Sequence, residues 1–308
     1  MRYLLLGANG FLGTQVRRAI EQTDRAPYLV AVSGRHAPLP STSPMNHWRQ
    51  IDLVRASIEE FALLLDYSKP DAVINCVGCT AGSVHQLEAV NVSVVRKLLE
   101  ALARTEPVPL IHMGSSAEYG SQPDGIAITE GAIARPVGDY GRTKLVATDL
   151  ITDRVERGDV RATVFRVFNP VGPGAPANSL AGTAVREISL ALRSGSSFVT
   201  LGQLSSFRDF LAVADVASAA IRVAHAVDDL PSVLNVGRGV AMSCRSMVEL
   251  LADAAGFDGD VFESASGSPR SGPVSWQQAD ISRLRRHLHW VPTTSIAEAV
   301  TDLWQSGA

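Results

Sequence analysis

A tyrosine and a lysine four residues apart have the types and spacing for proton transfer. Tyr140 and Lys144 stand at positions i and i+4, so a helix would place both side chains on one face. A nearby ammonium lowers the pKa of a phenol, which can then exchange a proton with a carbonyl or alcohol oxygen. Such a pair can also be an ordinary surface pair. The catalytic interpretation is favoured because Lys144 is one of only three lysines in the chain.

A pair of serines precedes this tyrosine. Ser115 and Ser116 follow Leu110–Met113, an apolar run that predicts a buried strand. Ligands bind at the carboxyl ends of strands in parallel sheets. A serine at this point, Ser115 or Ser116, can therefore hold a substrate oxygen beside Tyr140.

A glycine-rich turn near the N-terminus is the second candidate site. Gly7, Gly10 and Gly13 follow the predicted strand Tyr3–Leu6 and open a predicted helix that begins at Phe11. Glycines at these points let backbone N–H groups approach a pyrophosphate, and the helix N-terminus adds partial positive charge. A structural tight turn is the alternative. The predicted dinucleotide contacts in this turn are Gly7, Asn9, Gly10, Phe11, Leu12 and Gly13.

The end of the second predicted strand, Tyr28–Val32, bears on the choice of cofactor. An NAD site usually has an acidic residue here to bind the ribose hydroxyls, but this sequence continues Ser-Gly-Arg-His. Arg35 instead suits a 2′-phosphate, although it could also be a solvated loop residue. The sequence thus favours NADP(H) over NAD(H), with Asp52 and Leu53 beside the adenine.

Short apolar runs alternate with amphipathic stretches along the first half of the chain, which predicts βαβ units around a parallel sheet. The fold class is therefore α/β, a Rossmann-type doubly wound sheet with a smaller α/β substrate-binding lobe. We assign 1–168 to the dinucleotide-binding domain and 169–308 mainly to the lobe, with segments around 211–237 returning to the first domain. The predicted helices are Phe11–Gln22, Ile58–Leu65, Val84–Ala103 and Tyr140–Arg157, and Glu263–Val274 is predicted to be a loop.

Composition excludes several classes of protein. The chain has 308 residues, 46% of them hydrophobic, which is too apolar for disorder. Its 28 basic and 31 acidic residues give a net charge of −3, without the long basic run expected for nucleic-acid binding. The Ala-rich stretch Leu211–Ala226 contains charges, so we expect no membrane span. Three cysteines form no disulfide framework and indicate a cytoplasmic protein.

Metal binding is not expected. Cys76 and Cys79 have a C-x-x-C spacing, but no Cys/His quartet accompanies them, so small side chains beside the cofactor are the better interpretation. His112, His287 and His289 are interpreted as structural.

Taken in order, these motifs resemble the extended short-chain dehydrogenase/reductases of the NAD(P)-dependent epimerase/dehydratase family, which act on nucleotide sugars. The resemblance covers nearly the whole chain. It rests on the glycine turn, Asn75-Cys76-Val77-Gly78, Asn91, Ser116, Tyr140, Lys144, Phe168–Pro173, Arg208-Asp209-Phe210 with Asp215-Val216-Ala217, and Leu234–Gly237.

The resemblance implies roles for these residues. Ser116 would orient the substrate oxygen, Tyr140 would be the acid/base, and Lys144 would bind the nicotinamide ribose and tune the tyrosine. Glu118 occupies one of the two positions that hold an acid/base pair in the family's dehydratases, and Ala117 occupies the other. Further implied contacts are Cys76, Val77 and Gly78 to the cofactor, and Asn169, Arg208 and Arg270 to the substrate diphosphate.

The resemblance also implies a homodimer through a four-helix bundle, built from the helices around Val84–Ala103 and Tyr140–Arg157. Three reactions share this site. The arginine at position 35, the incomplete acid pair and the length favour NADPH-dependent reduction of a keto group, at C4, on a nucleotide-activated deoxysugar. An epimerase or a 4,6-dehydratase is the alternative, and a cofactor-sensing binding protein is the non-enzymatic one.

Overall fold

The fold was analysed in a computed structural model, which describes residues 1–23, 27–34, 46–226, 230–264 and 274–307. The strands are β1 (Arg2–Leu6), β2 (Tyr28–Ser33), β3 (Asn46–Gln50), β4 (Ala72–Asn75), β5 (Leu110–Ser115), β6 (Ala162–Val167), β7 (Pro170–Val171), β8 (Phe198–Leu201), β9 (Phe207–Arg208), β10 (Leu211–Ala212), β11 (Val233–Val236), β12 (Met242–Ser243) and β13 (Asp260–Glu263). The helices are α1 (Phe11–Thr23), α2 (Ile58–Ser68), α3 (Val84–Glu88), α4 (Val94–Leu102), α5 (Asp139–Glu156), α6 (Leu180–Ser194), α7 (Val213–Ala224), α8 (Cys244–Ala255), α9 (Ser282–Leu288) and α10 (Ile296–Gly307).

A seven-stranded sheet, in the order β3-β2-β1-β4-β5-β6-β11, forms the centre of the molecule. Every neighbouring pair in it is parallel. The strand order reverses between β1 and β4, which is the position where doubly wound sheets bind ligands. The predicted α/β class with a Rossmann-type sheet is therefore confirmed.

Two hydrophobic clusters cover the two faces of this sheet. One contains Val16 of α1 and Val216 of α7, and the other contains Phe61 of α2, Leu98 of α4 and Ile151 of α5. The strands between them are buried on both faces, as in β1, where Tyr3 to Leu6 are at most 1% exposed. This two-sided burial explains why the strands appear in the sequence as continuous apolar runs.

The helix predicted over Val84–Ala103 is interrupted by a π-helical turn, Ala89–Ser93, between α3 and α4. A π turn contains one extra residue, so the apolar positions on its two sides do not share one continuous stripe. Leu87 and Leu98 are buried, but Val90, at a position that would share their face in a regular helix, is only half-buried, and Val92 is buried instead.

A third hydrophobic cluster lies in the second half of the chain. It draws on α6, α8 and α10, for example Ile188, Leu251 and Val300. The sequence analysis predicted no helices in this half, because its glycines and prolines obscured the helical pattern. Asp215 in α7 fixes the segment before α10, because its carboxylate accepts hydrogen bonds from the backbone N–H groups of Thr293 and Thr294, each at 3.1 Å.

Within the described ranges, none of the helices has the length and apolarity that crossing a membrane requires.

Candidate active site

The glycine turn between β1 and α1 is packed too closely for side chains. Gly7 has a φ of +77°, and a Cβ there would lie 2.9 Å from the carbonyl carbon of Cys76. A Cβ on Gly13 would lie 2.1 Å from the carbonyl oxygen of Gly7. The turn is fixed to β2 because the N–H groups of Gly7 and Ala8 both donate to the Val32 carbonyl at 3.0 Å. Both glycines are thus required by the fold itself.

Gly10 differs from these two glycines. Its added Cβ would meet only the Gly7 carbonyl, at 3.2 Å, so its outer side is open. The first turn of α1 contains no acidic residue, and the first N–H groups of a helix have no acceptor within it. The turn therefore offers backbone donors and a positive helix end to an anion, and it fits the pyrophosphate of a dinucleotide.

The ends of β2 and β3 lie together at the predicted adenine position. Ser33 Oγ accepts a hydrogen bond from Asn9 Nδ2 at 3.1 Å, and Ser33 O accepts the Ile51 N–H at 3.0 Å. Asp52 is half-exposed, and its carboxylate accepts a hydrogen bond from the Val54 N–H. Leu53 is buried in the hydrophobic cluster that α2, α4 and α5 form on one face of the sheet. Arg35, on which the cofactor argument rests, lies outside the described residues.

Lys144 lies at the carboxyl ends of β4 and β5. Its Nζ donates to the Met113 carbonyl at 2.7 Å, and a Cβ on Gly78 would come within 3.1 Å of it. The side chain is only 4% exposed, and this burial lowers the pKa of Lys144, opposed chiefly by Glu118. Tyr140 is half-buried one turn earlier in α5, so the pair shares a helix face as predicted.

Two neutral groups surround the lysine. Asn75 accepts the Val77 N–H through Oδ1 at 3.0 Å, so its Nδ2 donates to Nδ1 of His112 at 3.1 Å. His112 is fully buried, and burial with the nearby lysine holds its pKa well below the usual range. Burial also raises the pKa of Cys76 to about 12, against the opposing charge of Lys144. At neutral pH, neither group compensates the ammonium charge.

Asn91, in the middle of the π turn, joins three elements. Its Oδ1 accepts the Cys79 N–H at 3.0 Å, and its Nδ2 donates to the Cys79 carbonyl and to Thr143 Oγ1, each at 3.0 Å. Thr143 Oγ1 in turn donates to the Tyr140 carbonyl at 3.0 Å. The segment after β4 is thereby fixed to the first turn of α5, which carries the tyrosine.

The two serines at the end of β5 have different surroundings. Ser115 Oγ accepts the Ala117 N–H at 3.2 Å and so caps the short turn Ser116–Glu118. Ser116 is 5% exposed, and its hydroxyl lies 3.4 Å from Oε1 of Gln277. The capping bond gives Ser115 a structural function, which leaves Ser116 as the stronger candidate for substrate binding.

The structure does not support an acid/base function for Glu118. Its side chain is fully buried: Oε1 accepts the Ser115 N–H at 2.8 Å, and Oε2 accepts Thr148 Oγ1 at 2.9 Å and Arg166 Nε at 2.8 Å. Three protein donors, one of them the buried Arg166, thus occupy both oxygens of this carboxylate. The position of Glu118 in the sequence suggested a catalytic group, but sequence neighbours do not reveal the direction of a side chain.

Two of the three side chains that we predict to bind the substrate diphosphate already donate hydrogen bonds to backbone carbonyls. Arg208 is 6% exposed, and its guanidinium donates to the Phe207 carbonyl at 2.8 Å and to the Val274 carbonyl at 2.7 Å. Asn169 Nδ2 donates to the Asp209 carbonyl at 3.2 Å. Arg270 lies outside the described residues. In this conformation, then, Arg208 and Asn169 bind the backbone around them, and a direct contact with phosphate remains a prediction.

Two residues that the sequence analysis missed contact the predicted site. Gln277 touches Ser116, although the two are 161 residues apart in sequence. Arg166 neutralises Glu118 and lies 4.5 Å above the ring of Tyr119. A charged residue inside the apolar strand Ala162–Val167 was the available signal for Arg166. No local signal marks Gln277.

The assembled site has a definite chemical capacity. A dinucleotide can lie along the carboxyl ends of β1 and β4, with its nicotinamide end toward Lys144. Ser116 and Tyr140 are the hydroxyl and the phenol that we predict to contact a substrate oxygen at this end of the sheet, and these roles remain predictions.

The comparisons with known proteins agree with this geometry. Residues 3–237 match the profile of the NAD dependent epimerase/dehydratase family. The dTDP-6-deoxy-L-talose 4-dehydrogenase (NAD(P)(+)) of Kitasatospora kifunensis is 32% identical over 306 residues, covering 98% of this chain and 94% of that protein. The GDP-6-deoxy-D-mannose reductase of Pseudomonas aeruginosa is 26% identical, with 99% and 97% covered.

Solved structures give the same result. MoeE5 in complex with UDP-glucuronic acid and NAD has a TM-score of 0.85 at 25% identity, covering 99% of this chain and 98% of that one. The RMD structure from Pseudomonas aeruginosa, complexed with NADPH, has a TM-score of 0.83 at 24% identity, with the same coverage. The chain therefore belongs to the NAD-dependent epimerase/dehydratase family and is an NAD(P)-dependent oxidoreductase of the extended short-chain dehydrogenase/reductase type.

Proposed function

We propose that the protein is an NADPH-dependent reductase of the C4 keto group of a nucleotide-activated 6-deoxysugar. The observation that carries this proposal is the state of Glu118, whose two oxygens are bonded to three donors and whose charge is matched by Arg166. A dehydration needs a group that removes one proton and delivers another to the leaving hydroxyl, and this carboxylate is not free to do so. Carbonyl reduction needs only the hydroxyl, phenol and ammonium groups that are present.

Each residue then has one task. Ser116 donates a hydrogen bond to the C4 carbonyl oxygen, which orients the ketone and takes up charge that develops on the oxygen. Tyr140 donates the proton that completes the alcohol. Lys144 stabilises the phenolate that this transfer leaves, which takes up a proton from solvent before the next turnover, and Lys144 also binds the ribose next to the nicotinamide. NADPH, when bound, supplies the hydride.

The two relatives support the choice of substrate. One is named for a dTDP-linked 6-deoxyhexose oxidised at C4 and the other for a GDP-linked 6-deoxyhexose. The first is 32% identical along almost the whole chain, so a dTDP-4-keto-6-deoxyhexose is the first substrate to test. The Asn169, Arg208 and Arg270 contacts with its diphosphate remain part of the proposal.

The experiment is a panel of dTDP- and GDP-4-keto-6-deoxyhexoses, together with the parent dTDP- and GDP-hexoses that keep the C4 and C6 hydroxyls. Loss of NADPH absorbance and NMR of the product follow each reaction. Stoichiometric NADPH consumption with a new C4 alcohol supports the reductase. Conversion to an isomer without net NADPH loss would instead identify an epimerase. Loss of water from a 4,6-hydroxylated sugar would identify a dehydratase and contradict the argument from Glu118.

The preference for NADPH rests on the second predicted strand, which ends without an acidic residue, and on Arg35. Arg35→Asp places a carboxylate where the 2′-phosphate is proposed to bind, and like charges repel. We expect kcat/KM to move from NADPH towards NADH. A wild-type enzyme that already prefers NADH would contradict this assignment.

We also propose that residues 1–168 form the dinucleotide-binding domain, with segments around 211–237 returning to it, and that 169–308 mainly form the substrate-binding lobe. A cytoplasmic location and a homodimer are proposed as well. Three free cysteines agree with a reducing compartment. For the dimer, α3 and α5 carry exposed apolar side chains on one surface, Val84 and Val146, each 44% exposed. A cavity of about 470 Å³ lies between them. Light scattering of wild type and of Val146→Arg tests this surface, and a wild-type monomer at micromolar concentration would contradict it.

A further inference from the structure

The contact between Gln277 and Ser116 has a direction that hydrogen-bonding chemistry fixes. Gln277 Nε2 lies 3.1 Å from the Ser116 backbone carbonyl, and Gln277 Oε1 lies 3.4 Å from the Ser116 hydroxyl. A carbonyl only accepts, so the amide nitrogen must face it. The amide oxygen then faces the hydroxyl and also only accepts. Without substrate, the Ser116 proton is therefore directed at Gln277.

The backbone around Gln277 holds the amide in this place. The Gln277 N–H donates to the Phe207 carbonyl at 3.1 Å, and the Phe207 N–H donates to the Ser275 carbonyl at 2.7 Å. Two residues on, the Ala279 N–H donates to Oδ2 of the buried Asp209 at 3.0 Å. Gln277 itself is 5% exposed. These bonds fix the backbone from which the buried amide group reaches Ser116.

Catalysis requires the Ser116 proton to point elsewhere. In the proposed reduction it turns to the C4 carbonyl oxygen, and the 3.4 Å bond to Gln277 is long enough to be given up at small cost. The turn leaves Oε1 of Gln277 as a buried acceptor without a donor, which is unfavourable. A hydroxyl on the carbon next to the carbonyl is a substrate donor that would satisfy this acceptor.

We propose that Gln277 is a positioning and specificity residue, which holds Ser116 in the free enzyme and selects substrates with a hydroxyl adjacent to the reacting carbonyl. This inference rests on the proposed ketone reduction at Ser116. A site built around a buried acceptor discriminates strongly against an analogue that lacks the matching donor. Here the discrimination is limited, because the Ser116 hydroxyl can rotate back and donate to Gln277 again when the analogue is bound.

The test compares dTDP-4-keto-6-deoxyglucose with its 3-deoxy analogue, in wild type, Gln277→Leu and Gln278→Leu. We expect wild-type kcat/KM to be about 10–10²-fold lower for the 3-deoxy analogue. Gln277→Leu should lower kcat for the parent sugar by about tenfold, leave the KM for NADPH within about twofold, and reduce the ratio between the two sugars to about one. Gln278→Leu is the matched control, because its amide donates to the Gly239 carbonyl at 2.9 Å instead of to Ser116. It should keep the wild-type ratio.

Calorimetry with the same two ketones, in the presence of NADP⁺, which carries no hydride to transfer, measures the same discrimination without turnover. An enzyme that fails to reduce the ketones but still binds the 3-hydroxy ketone more tightly, in a Gln277-dependent way, contradicts the proposed reaction and supports the role of Gln277. Reduction with an unchanged sugar ratio in Gln277→Leu overturns the role of Gln277 alone. Equal binding of both ketones by wild type also overturns it. Failure to bind either nucleotide sugar overturns both proposals.

Discussion

Replacing Glu118 by glutamine separates a structural role from a catalytic one at the position that decides between dehydration and reduction. The substitution keeps the size of the side chain and one oxygen for the Ser115 N–H. The new amide nitrogen would face Nε of Arg166 and the hydroxyl of Thr148, two groups that now donate to the carboxylate at 2.8 and 2.9 Å. At Arg166 donor would meet donor, whereas the Thr148 hydroxyl can rotate to accept the new amide hydrogen. The buried arginine would also lose its counter-charge.

The size of the effect follows from the burial of this pair. The Arg166 and Glu118 side chains are 7% and 0% exposed, so water cannot take over the missing charge. Removing one partner of a buried pair costs about 3–5 kcal/mol. The guanidinium keeps its position over the Tyr119 ring, at 4.5 Å, which offsets a small part of that loss. We therefore expect about 3 kcal/mol of lost unfolding free energy.

Urea denaturation of wild type and Glu118→Gln measures this loss, and turnover per folded enzyme is measured on the same samples. We expect a clear fall in stability with kcat changed by less than about tenfold, whereas loss of a general acid costs about 10²–10⁴-fold. The double variant Glu118→Leu/Arg166→Met, which replaces the pair by apolar groups, should recover part of the stability. Unchanged stability together with a hundredfold loss of turnover would refute the reasoning and restore Glu118 as a catalytic acid.

Three further predictions concern the phenol, the glycine turn and a buried aspartate. Tyr140→Phe should lower turnover about 10²–10⁴-fold while NADPH binding, followed by fluorescence, stays near normal; near wild-type turnover would exclude the assigned role. Gly13→Ala should lower the melting temperature because its Cβ would lie 2.1 Å from the Gly7 carbonyl oxygen, whereas Gly10→Ala, with 3.2 Å, should mainly weaken NADPH binding; equal melting temperatures would contradict this distinction. Burial raises the pKa of Asp209 to about 6, so the folded state holds this proton more tightly than the unfolded chain, whose aspartates titrate near about 4. The unfolding free energy contributed by Asp209 should therefore fall as pH rises from about 4 to 6, and pH-dependent denaturation of Asp209→Asn should lack this component.

The sequence was informative wherever one segment alone determines the structure. The strand before Gly7 and the helix after it are visible in a dozen residues, because burial on both faces of a sheet demands an uninterrupted apolar run. The same holds for Tyr140 and Lys144, whose relation depends only on helical geometry. These local constraints predicted the parallel sheet and the end of it that carries the candidate site.

Features that depend on tertiary contacts were not visible in the sequence. Gln277 contacts Ser116 from a segment that is distant in sequence, and no motif near either residue predicts this contact. Glu118 and Arg208 show that the partners of a side chain are equally invisible in the sequence. Their chemistry and neighbours suggested direct action on a substrate, but each side chain found protein partners, a buried arginine in one case and backbone carbonyls in the other.

The π turn at Ala89–Ser93 places a constraint on how this chain can change in length. The turn exists because one residue more than an α-helix needs lies between α3 and α4. Deleting one residue there would yield a regular helix of better local geometry. It would also rotate everything before the deletion by about 100° relative to α4. Leu87, which is now buried, would then leave the interior. A single-residue deletion at this point would thus improve the helix and disrupt the site, so the surrounding loops are the places that can tolerate changes in length.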